Sequence, residues 1–455
     1  MTTPTRYTRP LLGMPGPGHE EFIWAGGIED TFVPQTRPGH RAMDEYELIG
    51  HYEHWRGDLA LAKGLGLRAL RWGIPWYKVE PQQGKFDWRW IDEVLPYIVD
   101  ELGITPIIDL MHYGCPLWLH REFDNPDYPA AVTAYAAEFA QRYKGLVRWY
   151  TPLNEPLVNA LMCGRRGLWP PYLRGDQGYL RIMVQLAKGI VSTVRAIKEI
   201  DPESIMVHVD AAGIVRAERP DLERLAMEDQ LRRFICYDLI TGRVDGEHQL
   251  FPWLVRNGVS PDDLARLKGN GISLDVLGLN FYPQWSTKQM YINRQGKLSY
   301  REIERQGVGF AEMIASYHER YQAPVIVTET SARGSDKVRA NWLREGLGAV
   351  KTLRGHGVPV LGYTWFPIFT MLDWSYRLGR GPVDQYRLEL GLYRLGQAGG
   401  PRWLVTPLVD QFRAYVSNPS ESIGTLAKAP QSEYRYLYGG PGHVGEGQAQ
   451  GERSR

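Results

Sequence analysis

The stretch Val147-Arg148-Trp149-Tyr150-Thr151-Pro152-Leu153-Asn154-Glu155-Pro156 begins apolar and ends on a carboxylate fixed by a proline. Val147 to Tyr150 reads as a short buried strand. Pro156 has no N–H and disfavours helical backbone in the residue before it, so the strand ends at this point. A glutamate beside an amide at the end of a buried strand is in position to be presented. Taken alone, it could equally be a surface residue or half of an ion pair.

A second stretch decides between these readings. Pro324-Val325-Ile326-Val327-Thr328-Glu329-Thr330 is another β-branched strand that delivers a glutamate at its end. Two buried strands with carboxylates at their C-terminal ends suit a parallel barrel, where functional residues gather on that face. A pair of carboxylates flanking a bond is the equipment of glycoside hydrolysis.

The rest of the chain repeats the pattern. Strands are expected at 21–27, 67–72, 105–110, 205–210, 275–281 and 358–365. Helices are expected at 44–66, 86–102, 128–143, 178–200, 309–321 and 341–356. Eight strands alternating with helices predict one α/β domain, a single (β/α)8 TIM barrel over residues 21–426. A flexible segment is expected at 1–20 and a poorly ordered tail, rich in Gly, Pro and Gln, at 427–455. The alternative is an open doubly wound sheet, but no Gly-rich phosphate loop follows the first strand.

With 455 residues and a formal net charge of +1, the chain can bury a large core. Near-neutrality argues against nucleic acid or an anionic membrane as the main partner. No apolar run is long enough to span a bilayer. The N-terminus lacks an apolar signal core, and there are three widely spaced cysteines. Both features predict a cytoplasmic protein without a disulfide framework. Nothing in the sequence predicts an oligomeric state. The 15 Trp and 26 Tyr are mainly core material, although sugar sites also use aromatic faces.

Several motifs now line up with a known family. Thr151-Pro152-Leu153-Asn154-Glu155-Pro156 resembles the T-x-N-E-P of glycoside hydrolase family 1, the retaining β-glycosidases built on a (β/α)8 barrel. Val327-Thr328-Glu329 resembles the family's I/V-T-E-N-G, with Thr330-Ser331 in place of Asn-Gly. Leu70 to Trp76 is similar to R-F-S-I-S-W, Leu110 to Tyr113 to L-x-H-W, and Asp275 to Tyr282 to D-F-L-G-I-N-Y-Y. The resemblance runs from about Phe22 to Tyr415. Two pieces depart from it. The first-strand segment Gly26 to Phe32 carries Glu29 and Asp30 where the family has a sugar-holding Gln. The late W-S-x-x-D-N-x-E-W becomes Trp365-Phe366-Pro367-Ile368-Phe369-Thr370-Met371-Leu372-Asp373-Trp374. These departures mark a divergent branch and bear on sugar preference more than on bond chemistry.

The resemblance implies roles. Glu155 is the acid/base, with a pKa raised by burial and neighbours. Glu329 is the nucleophile, with Arg71 and Tyr282 as hydrogen-bonding supports. Asn154 and His112 hold sugar hydroxyls, and Asn280 orients the acid side. Trp365 or Trp374 is expected as the stacking floor for a pyranose, with Asp373 and Glu29 as further sugar contacts and Asp30 beside them. His51 and His54, three apart on a helix, have possible metal spacing but no third ligand, so no metal and no cofactor are expected. Arg377 and Arg380 would suit a phosphosugar, but Asp373 nearby would repel phosphate, so a neutral sugar is expected. The reading is a retaining, β-glucosidase-like hydrolase of a small soluble carbohydrate. A transglycosylase would use the same residues, and a silent sugar-binding barrel would lack the paired carboxylates.

Overall fold

A computed structural model describes residues 12–303, 306–397 and 399–427. The expected tail at 427–455 lies outside the described residues except for Ala427, and residues 1–11 of the N-terminal segment also lie outside them. Eight strands close into a barrel in sequence order. They are β1 (Ile23–Gly27), β2 (Ala69–Gly73), β3 (Thr105–Asp109), β4 (Trp149–Thr151), β5 (Ile205–Ala211), β6 (Val276–Asn280), β7 (Val325–Thr330) and β8 (Val360–Trp365). Every neighbouring pair is parallel, and β1 pairs with both β2 and β8. Parallel neighbours require crossovers, and helices supply them. These are α1 (His51–Gly64), α2 (Arg89–Pro96), α3 (Tyr128–Arg142), α4 (Gly175–Ile200), α5 (Glu223–Arg233), α6 (Gln306–Tyr321) and α7 (Asp336–Gly355), while α8 (Leu408–Ser417) follows the last strand.

The barrel interior explains why the site is at one end. Side chains alternate faces along a strand, so every second residue points inward. Ala69, Ile107, Trp149, Val276 and Ile326 pack together low in the barrel. Two residues further on in three of these strands, the same row carries Arg71, Asp109 and Thr151, all fully buried. The strands therefore fill their lower half with apolar volume and reserve the C-terminal end for polar chemistry. Beneath, the indole of Trp149 donates to the carbonyl of Leu12 at 2.7 Å, and Arg354 donates to that of Pro17. This ties residues 12–17 to the barrel.

Two helices differ from expectation. The helix expected over 44–66 is broken at Gly50, whose φ of 70° lies in the left-handed region open to glycine. Asp44 instead caps the short helix Glu45–Leu48, accepting from the backbone N–H of Glu47. The helix expected over 86–102 starts at Arg89 and widens into a π turn over Tyr97–Glu101, directly after Pro96. Proline cannot donate the ladder bond there. Above the mouth, connections after β5 and β6 form a small sheet of Ile214–Ala217, Thr287–Ile292 and Leu298–Glu302, which sequence periodicity did not separate from loop. Among the described residues no helix is long and apolar enough to cross a membrane.

Candidate active site

A cavity of about 750 Å³ opens at the C-terminal face, with Glu155 and Glu329 in its wall. Glu155 follows β4 and has left-handed backbone, φ 46° and ψ 65°. That conformation is uncommon for a residue with a side chain, and local contacts fix it. The N–H of Glu155 donates to the carbonyl of Val209, and the N–H of Leu157 donates to Asp210. The Glu155 carboxylate accepts from the hydroxyl of Tyr113 and from the amide of Asn280 at 2.9 Å. Burial and the nearby charge of Glu329 push its pKa up to about 7, against the pull of Tyr113 and Asn280. An acid so poised can keep its proton near neutrality.

Glu329 sits in β7, where the ladder to β6 shifts register between Val327 and Glu329. Such an irregularity re-aims a side chain. Arg71 donates to one oxygen of Glu329 at 2.7 Å, and the hydroxyl of Tyr282 to the other at 2.8 Å. Arg71 is itself wholly buried, ion-paired to Asp109, and donates to Asn154 at 3.0 Å. Burial opposes its charge, but Asp109 and Glu329 more than offset that and raise its pKa. Burial would likewise lift Asp109, but Arg71 and His112 hold it below the usual carboxylate range.

His112 lies at the centre of the remaining polar groups. Its Nδ1 is 2.8 Å from Asp30 and its Nε2 is 3.9 Å from Glu29. Burial works against the imidazolium, but the acids around it raise the His112 pKa well above the usual value. Asn154 is the opposing contact. Its Oδ1 is taken by Arg71 and Asn280, so its N–H faces Nε2 at 2.8 Å and favours the neutral ring. Glu29 and Asp30 are each pushed up to about 7, mainly by burial. Asp30, Asp109 and His112 bring ligand-type atoms within 4.8 Å of one another. Arg71 already supplies positive charge at that point.

The structure thus brings Glu155, Glu329, Arg71, Tyr282, Asn154, Asn280, His112 and Glu29 together. Asp373 and Trp374 also line the cavity. Asp373 caps a short 3-10 helix, accepting from Ser375 N–H, and Trp374 packs edge-on to Tyr113 and Trp169. The indole N–H of Trp374 is buried and unpartnered. Trp365 corrects the expected stacking floor. It has no exposed surface, donates its N–H to the carbonyl of Leu390 and is absent from the cavity wall. A side chain sealed in the core has no face to offer, and Trp374 occupies the wall instead. Arg377 is buried and holds the carbonyls of Val33 and Gln35, which is a structural role. His51 is buried between Asp58 and the indole of Trp72, while His54 is exposed.

Two site residues escaped sequence reasoning. Asp109 was legible as a lone acid closing the apolar strand Pro106-Ile107-Ile108. Tyr113 closes the Leu110–Tyr113 motif with nothing in the sequence to mark its role, and with left-handed backbone, φ 81°, its hydroxyl meets Glu155.

A parallel barrel with two facing glutamates at its strand ends defines a class, the carboxylate-pair glycosidase barrels. Within that class the chain belongs to glycosyl hydrolase family 1, whose model matches residues 25–380. Beta-glucosidase A of Thermotoga maritima is 22% identical over 355 residues, spanning 71% of this chain and 79% of that one. An aryl-phospho-beta-D-glucosidase of Bacillus subtilis is 23% identical over 70% of this chain and 76% of its own. The chloroplastic galactolipid galactosyltransferase of Arabidopsis thaliana is 24% identical over 71% of this chain and 52% of its own. The family 1 β-glucosidase structure from Thermotoga maritima superimposes with a TM-score of 0.74 at 18% identity, covering 88% of this chain and 98% of that one. The fold is shared, and the chain is retaining-β-glycosidase-like.

Proposed function

We propose that the chain hydrolyses a small soluble β-glycoside or oligosaccharide through a covalent glycosyl-enzyme, with Glu329 as nucleophile and Glu155 as acid/base. The observation that carries this reading is the unequal surroundings of the two glutamates. Arg71 and Tyr282 hold both oxygens of Glu329, whereas burial and the charge of Glu329 push Glu155 up to about 7. In the first step a Glu329 oxygen bonds to the anomeric carbon, and the bond to the leaving oxygen breaks as Glu155 gives that oxygen its proton. In the second step Glu155 takes a proton from water, whose oxygen displaces Glu329. Asn154, His112 and Glu29 are proposed to hold hydroxyls of the bound sugar. Asp373 and Trp374 extend that wall, Trp374 with an aromatic face for the sugar's C–H surface.

The relatives named β-glucosidases make β-glucosides the first substrates to try, and the altered sugar-holding residues favour a different preference among epimers. Transfer to an acceptor hydroxyl is the second reading, supported by the similarity to the galactolipid galactosyltransferase. A cytoplasmic location is also proposed, consistent with three free, buried cysteines. The test is NMR of the first-formed product, using a panel of aryl β-glycosides with and without acceptor alcohols. A β-configured first product with water as acceptor supports the reading. An α-configured first product excludes it, and alkyl glycoside as the main product moves it to transfer.

A further inference from the structure

The cavity is electrically lopsided. Its floor and one side carry Glu29, Glu155, Glu329 and Asp373, while another wall carries five cations, Arg165, Arg166, Arg232, Arg233 and Lys288, with two acids among them, Asp229 and Glu302. This basic wall is assembled from three separate connections. Arg165 and Arg166 close the π turn after Glu155, Arg232 and Arg233 end α5, and Lys288 lies on the strand Thr287–Ile292 above the mouth. These connections follow β4, β5 and β6. The proposed sugar contacts Glu29, Asp373 and Trp374 follow β1 and β8, on the other side of the opening.

Compensation on the basic wall is incomplete. Arg165 pairs with Asp176 at 3.1 Å, and Arg232 reaches Asp229 only at 4.0 Å. Arg166, Arg233 and Lys288 make no ion pair among the described residues, and the one acid opposite Lys288 in the strand ladder is Glu302. The guanidinium of Arg233 passes close over Gly213, where a Cβ would meet the Ser286 carbonyl oxygen at 2.2 Å and Arg233 Nη1 at 2.7 Å. The half-buried ammonium of Lys288 has its pKa lowered, first by burial and then by Arg233 and Arg166. Like charges crowd a partly desolvated wall, an arrangement that an anion would relieve.

We propose that this wall binds an anionic group, a carboxylate or a phosphate-type ester, carried on the leaving-group portion of the substrate. The proposal rests on the glycosidase reading, because that reading fixes which side is which. The acid must touch the leaving oxygen, so the departing portion lies on the Glu155 side, where the connections after β4 to β6 converge. The sugar itself stays neutral against the acidic floor, and the anion meets the five cations. Arginine suits such oxyanions because its planar fork donates two parallel hydrogen bonds.

The test separates binding from turnover. Aryl 1-thio-β-glycosides, which resist hydrolysis, are titrated calorimetrically in the gluco, galacto and fuco series. Each series carries a para carboxylate or phosphonate, attached directly or through a two-carbon arm, and the matching neutral carboxamide. The expected result is about tenfold tighter binding of an anionic probe than its carboxamide, weakening with salt. In the double variant Arg166→Gln/Arg233→Gln the ratio should collapse toward one. Carboxylate and phosphonate arms identify which anion is preferred. Equal affinity for charged and neutral probes, no binding of either, or a preference unaffected by the double variant overturns the proposal. If the matching O-glycosides are not turned over but the anion preference persists, the glycosidase reading fails and the anion site stands.

Discussion

Glu155 and Glu329 are the same side chain at the same end of the same barrel, yet they sit in opposite surroundings. Glu329 touches a buried guanidinium and a phenol that between them hold both of its oxygens. Glu155 touches a phenol and an amide and has no cation in contact among the described residues. It sits on strained backbone with its pKa pushed up to about 7. The difference teaches that the proposed acid/base and nucleophile roles rest on the neighbours, chiefly on Arg71 reaching across the barrel from β2. The rest of the wall contrasts with this pair. The two glutamates fit the family's motifs, whereas the proposed sugar contacts Glu29 and Asp373 depart from them.

The comparison breaks most visibly if the nucleophile is removed. Glu329→Ala should reduce turnover of every glycoside by roughly 10⁴-fold or more, because no glycosyl-enzyme can form. Residual activity above a hundredth of the parent would move the nucleophile elsewhere. Glu155→Ala should lose roughly 10²–10⁴-fold on substrates with poor leaving groups. Dinitrophenyl glycosides, which need no proton, should still show a rapid first phase in stopped-flow. If both substrate types fall equally, Glu155 is not the acid.

A smaller effect sharpens the sugar wall. Trp374→Ala and Asp373→Asn should each change the ratio of kcat/KM between gluco and galacto or fuco substrates by about tenfold, with little change in product anomer. The same panel on the parent enzyme tests the departures, since β-glucosides standing clearly above galacto-, fuco- and manno-configured substrates would contradict them. Tyr113→Phe removes a bond that favours the ionised form of Glu155. The alkaline limb of kcat/KM, which falls as Glu155 loses its proton near pH 7, should therefore move upward by roughly one unit.

A separate effect is on stability. Below pH 4.5 Glu155 is protonated in both folded and unfolded chains. Between 4.5 and about 7 only the unfolded chain ionises, so the contribution of Glu155 falls as pH rises through this window and levels off above it. Glu155→Gln cannot ionise and should gain stability over the parent at pH 8 relative to pH 4, by on the order of 3 kcal/mol. Denaturant melts at the two pH values measure it, and an equal difference at both would deny the pKa shift.

Most of the barrel could be read from the chain because most strands are β-branched or apolar runs, several closed by a polar residue, and the longer helices carry their own periodicity. The two glutamates and Asn280 were readable for the same reason, since Asn280 and Glu329 stand at strand ends and Glu155 follows one. What stayed hidden depends on local geometry. Trp365 and Trp374 look equally suited to face a sugar, but Trp365 is sealed in the core with its indole bonded to the carbonyl of Leu390, and no spacing in the sequence separates the two. Tyr113 reaches Glu155 only through positive φ, which a tyrosine does not advertise. The basic wall is spread over three connections whose convergence no spacing predicts.

The division of labour between the two glutamates is tested most directly by azide rescue of their alanine variants. Azide is a small anion that needs no deprotonation. In Glu155→Ala it should attack the accumulated glycosyl-enzyme and release a β-glycosyl azide. In Glu329→Ala it should attack the substrate from the vacated side and release the α-azide. NMR of the isolated azides gives the answer. The β-azide from Glu155→Ala with the α-azide from Glu329→Ala is the predicted outcome. The opposite pairing would mean the roles are reversed, and no azide from either folded variant would contradict a glycosyl-enzyme altogether.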